Sequence, residues 1–84
     1  MGVMELSDTI EMMTSEDYKE RFKAEFYQLK IRYEKLIAML DKWENGELLF
    51  NPTCPREMYE KQIKGMEFYL DVLKDRADIE GIEV

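Results

Sequence analysis

The chain has no histidine, a single cysteine, two prolines and no long apolar run, and each shortage removes a class of function. Without histidine there is no side chain whose ordinary pKa lies near neutrality, so general acid–base chemistry has to come from shifted carboxylates. Nineteen acids spread along the chain single out no such pair, and an enzyme is not expected. One thiol cannot form an internal disulfide, and one thiol without imidazole cannot build the usual zinc site, so no metal and no cofactor are expected. Cys54 fits a reducing compartment and has no base beside it to make it a nucleophile. The longest apolar run, residues 36–40, falls far short of the roughly 20 residues that cross a bilayer. The start carries Glu5, Asp8 and Glu11 where a secretory signal would be basic, which points to a cytoplasmic protein with no membrane partner.

What remains is an 84-residue chain, 37% charged, with a net charge of −7. A chain of this size buries only about 60% of the surface its unfolded form exposes, so its stability needs well-packed helices or association. Helical periodicity is strong in two stretches. In the first, Tyr18, Phe22, Phe26, Leu29, Tyr33, Leu36, Leu40 and Trp43 follow at steps of three and four, within about 100° of arc. Thr14 or Ser15 is expected to start this helix, with Asp17 completing an approximate capping box, and Asn45-Gly46 to stop it. In the second stretch the stripe is Tyr59, Ile63, Met66, Leu70, Leu73 and Ala77. Thr53 or Cys54 is its expected cap, Pro55 lies in its first turn, and Gly81 is its natural stop.

The expected fold is therefore all-α: an antiparallel two-helix hairpin over residues 14–81, preceded by an acidic leader, residues 1–13, that either forms a short helix or frays. Each helix also carries apolar residues opposite its main stripe. These are Ala24, Tyr27, Ile31 and Ala38 on the first and Phe68, Val72 and Ile79 on the second. A two-helix hairpin covers one face of each helix, so these second faces imply a homo-oligomeric helical bundle.

The charge is unevenly placed. Residues 1–13 carry three acids and no base, whereas residues 14–45 carry seven of each. No basic cluster exists to neutralise a duplex backbone, so duplex nucleic acid is not an expected partner. A small anion needs only one or two cations, helix-start N–H groups and an aromatic face. Near the tip of the hairpin, Lys42, Trp43, Phe50 and Thr53 offer those groups.

The segments DYKERFKAEFYQLKIRYEKL and QIKGMEFYLDVLKDRADIEG, with the spacing Met66, Tyr69, Leu73, Arg76, resemble the small helical-hairpin proteins encoded by phages and integrated mobile elements. Characterised members of that group are immune-evasion sponges of the anti-CBASS and anti-Thoeris type. The resemblance spans about residues 17–81 and implies a non-catalytic host-cytoplasmic protein. Such a protein assembles as a hexamer and sequesters a cyclic di- or trinucleotide or a related signalling nucleotide at its subunit interfaces. Carried onto this chain, it points to Tyr27, Lys42 and Thr53 as ligand-binding residues and to Arg76 as a second cation. The connector NGELLFNPTCP departs from the pattern, so a site at that end could favour another ligand. The competing expectation, from the −7 charge, is an acidic helical module that binds or inhibits a host protein.

Overall fold

A computed structural model describes residues 4–84, and among them every regular element is helical. A single 3-10 turn, Leu6–Thr9, runs into a one-turn helix α1, Ile10–Met13. The two long helices follow, α2 over Tyr18–Glu44 and α3 over Arg56–Glu80. Residues 1–3 of the expected leader lie outside the described residues.

Both long helices stop where a glycine permits it. Gly46 and Gly81 sit at φ of 71° and 69°, the left-handed region that costs other residues a Cβ clash. In each case the next residue reaches back across the last turn: Glu47 N–H donates to the Lys42 carbonyl at 2.8 Å and Ile82 N–H to the Ala77 carbonyl at 2.9 Å. These bonds satisfy carbonyls that the helix itself leaves unpaired.

The helix starts differ from the sequence expectation. Asp17, not Thr14 or Ser15, caps α2, its Oδ1 accepting from Lys19 N–H at 3.0 Å. The hydroxyl of Thr14 is occupied elsewhere, donating to the carbonyl of Ile10, the first residue of α1. Arg21 then donates to the carbonyls of Ser15 and Glu16 at 2.7 and 2.9 Å, which fixes the turn before the helix. At α3 the cap position belongs to Pro55 rather than Thr53 or Cys54, and no side chain accepts there. Proline's fixed φ of −61° sets the chain up for the helix without a capping oxygen.

Contacts pair the beginning of α2 with the end of α3, and the reverse: Phe22 meets Arg76, Glu25 meets Tyr69, Trp43 meets Tyr59 and Glu44 meets Arg56. The main core lies at the α2-start end, where Phe22, Phe26, Leu70, Leu73 and Ala77 close around one another. Ile82 joins them from beyond Gly81, because the backward bend after α3 turns its side chain inward. Each such buried side chain contributes on the order of 1.5–3 kcal/mol. Tyr18, the first member of the expected stripe, is half exposed, since the helix begins there with little of α3 opposite it.

The leader corrects the expectation for the second face of α2. It folds across that face, so Ala24, at 1% exposure, and Ile31 are buried within the subunit and need no second copy to cover them. Gln28 ties the two together, its Nε2 donating to Thr9 Oγ1 at 2.9 Å, and Thr9, fully buried, donates to the Leu6 carbonyl at 2.7 Å. Lys35 adds an exposed ion pair to Glu5 at 3.3 Å. Of the four residues on this face, Ala38 remains open.

Candidate functional site

Lys30 and Lys74 each follow a leucine of the seam, Leu29 and Leu73. In two helices that run back along one another, residues at this offset fall on the same side of the pair. They flank a cleft of about 330 Å³ between α2 and α3, with Phe26 and Leu70 as its floor, Tyr33 and Glu34 on its α2 side and Val84 at its edge. Neither lysine has an ion-pair partner within 4.0 Å among the described residues. The cleft therefore presents two ammonium groups over an apolar, aromatic floor, which suits a ligand with a flat ring and anionic substituents. Glu34 makes the α2 side selective, because an anion there has to keep clear of its carboxylate.

The residues expected from sequence occupy several separate places. Tyr27 sets its ring edge-on to Phe26, centroids 5.5 Å apart, and lines a shallow groove of about 180 Å³ with Met4, Lys30 and Ile31. Lys42 is exposed and shares a groove of about 220 Å³ with Lys35, Leu48 and Phe50. Trp43 packs edge-on to Tyr59 at 6.1 Å, and the Arg56 guanidinium lies 5.4 Å from its ring centroid. Thr53 is exposed in the connector. Arg76 sits at the far end, 5.0 Å over the Phe22 ring and 3.5 Å from the Glu80 carboxylate. Lys42 and Trp43 thus lie near one end of the helix pair and Arg76 near the other, so one subunit does not gather the set into one pocket.

Trp43 and Arg76 are already engaged. Arg56 covers Trp43 and also pairs with Glu44 at 2.8 Å and Glu60 at 3.4 Å, so the indole face it covers is not open to a base. Arg76 has both an aromatic and a carboxylate partner, which makes it a strut between helices. Beside it, the Tyr69 hydroxyl donates to the Glu25 carboxylate across the helix pair. That bond to the neutral phenol raises the Tyr69 pKa above its ordinary value, helped by partial burial and by the Glu25 charge and opposed by Arg76.

Sequence reading missed Lys30, Tyr33 and Lys74 as a group, because each looks like an ordinary residue on its own helix. Their shared offset from the seam leucines was the available signal, and it acts only once the two helices are paired. Arg56 was missed as the cover of Trp43 for the same reason.

Among the described residues no cluster of metal-ligating side chains occurs, and no helix is long and apolar enough to cross a membrane. Comparison with curated proteins and with solved structures found no match. A family model described as Sequestin matches residues 16–79, a span that takes in all of α2, the connector and all but the last residue of α3. The span holds every lining residue of the lysine-flanked cleft except Val84 and covers most of the chain, so the chain belongs to the Sequestin family, whose name fits the sponge-type proteins that its two long segments resemble.

Proposed function

We propose that this chain is a non-catalytic sequestering protein that binds cyclic nucleotide signals of host defence in the host cytoplasm on behalf of a phage or mobile element. Family membership supports sequestration, and the observation that carries the choice of ligand is the cleft with its two lysines lacking ion-pair partners over Phe26 and Leu70. Phosphates supply the charge the lysines lack, and a base supplies the flat apolar surface that an aromatic lining favours by about 1–3 kcal/mol per stacked base.

The size of the cleft bears on assembly. About 330 Å³ is near the lower end for a small-molecule site, so a cyclic di- or trinucleotide would extend past the rim of one subunit. A homo-oligomer of such helical hairpins, in which a second copy covers the remainder of the ligand, accommodates this. Lys42 and Thr53, exposed at the tip, and Tyr27 are then candidates for contacts across copies, whereas Trp43 and Arg76 are already engaged within the subunit.

Isothermal titration with a panel of cyclic di- and trinucleotides tests the reading. Binding at micromolar concentration or tighter is expected for at least one member, with the nucleotide recovered unchanged by chromatography. Replacing Lys30 or Lys74 by alanine should weaken it about tenfold each, near 1.4 kcal/mol. Silence across the panel refutes the nucleotide reading, and turnover of a ligand refutes sequestration.

A further inference from the structure

The outer face of α3 keeps a seven-residue repeat that nothing in the subunit uses. Met58, Gly65, Val72 and Ile79 are seven apart, and Phe68 stands beside them at the second heptad position. Phe68 is 74% exposed and Ile79 84% exposed, an unusual setting for two large apolar side chains on one stripe. Gly65 is in the middle of the helix, where glycine is unfavourable, and a Cβ built on it meets nothing within 4 Å, so its own subunit does not require the gap.

The face also has a direction. Its N-terminal half carries Lys61 and Lys64 and a groove of about 340 Å³ beside Met58, while its C-terminal half carries Asp71, Asp75 and the projecting Ile79. None of these four charged residues has an ion-pair partner within 4.0 Å among the described residues. Glu57 and Glu60 also line the groove, and Glu60 is already paired with Arg56.

We propose that this face pairs with the same face of a second copy of the chain, and that the pairing is antiparallel. A two-fold arrangement centred between Phe68 and Val72 sets Phe68 against the second copy's Val72 and brings its Ile79 to Lys61 and the groove beside Met58. The same operation places the lysine half of one helix over the aspartate half of the other and sets Gly65 opposite the second copy's Asp75. Parallel pairing would instead stack lysine on lysine and aspartate on aspartate, which disfavours that register. The inference deepens the proposed self-association by naming the surface and its orientation.

Light scattering on the full chain tests the surface, and cross-linking tests the orientation. The native chain is expected to be larger than one 10.1 kDa chain at micromolar concentration. The pair of substitutions Phe68→Glu and Ile79→Glu should lower the measured mass at least twofold while circular dichroism shows the helices intact. In a Cys54→Ser background, Lys61→Cys mixed with Ile79→Cys should join through a short bis-maleimide, whereas Lys61→Cys alone should not. A native monomer overturns both this inference and the self-association beneath it. An assembled chain whose mass is unmoved by the two glutamates overturns the surface alone, and self-linking of Lys61→Cys overturns the antiparallel order.

Discussion

The two long helices each carry a second apolar face, and the molecule treats them differently. On α2 the leader lies across Ala24 and Ile31 and buries them, fastened by the Gln28–Thr9 hydrogen bond. On α3 the corresponding face stays bare, with Phe68 and Ile79 standing in solvent. Apolar periodicity alone does not distinguish a face that the chain covers itself from one that it offers to a partner. The difference here comes from the leader, whose described residues 4–13 pack on α2 and not on α3.

The contrast can be broken most sharply in the core beneath both faces. Leu73, with no exposure, anchors α3 against α2, and Leu73→Ala should lower unfolding stability in urea by about 2–5 kcal/mol. Ile31→Ala, beneath the leader, should cost about 2 kcal/mol if the leader holds that face as firmly as packing suggests. A loss no greater than that of a surface substitution would mean that the leader lifts easily. Thr9→Val keeps the volume and removes both hydrogen bonds of the hydroxyl, which should cost about 1 kcal/mol. On the bare face, Ile79→Ala should change stability by no more than about 0.5 kcal/mol when measured dilute enough to be monomeric.

The smallest effect concerns the Tyr69–Glu25 contact, which belongs to neither face. Because the folded pKa of Tyr69 is raised above the unfolded value, its contribution is complete below that ordinary value, about 10, and is lost as pH rises through the folded pKa. Thermal melts above pH 10 should therefore fall more steeply for the native chain than for Tyr69→Phe. Equal slopes would show that the hydroxyl does not hold the carboxylate in solution.

Much of the fold was legible because its signals are local. The stripes ran through long helices, and Gly46 and Gly81 marked both C-terminal ends through their left-handed backbone. The starts were harder to read, because Thr14, Ser15 and Asp17 are all competent caps within four residues. The outcome was decided by Arg21 reaching back to the Ser15 and Glu16 carbonyls and by Thr14 bonding into α1. The leader's position depends on Gln28, a polar residue that no apolar pattern highlights. The cleft was least legible of all. Lys30 and Lys74 are 44 positions apart in sequence and acquire meaning only from the side on which the paired helices place them.

Trp43 is the only tryptophan of the chain, and it lies against Tyr59 beneath the Arg56 guanidinium. Its thirteen-residue separation from Lys30 along α2 corresponds to about 20 Å, so a molecule confined to the lysine cleft of the same subunit does not reach the indole. A molecule held at the tip has to displace or share Arg56 and so alter the emission wavelength or quantum yield. The protein thus contains its own optical reporter, which separates the lysine cleft from the tip as places of binding with no label attached.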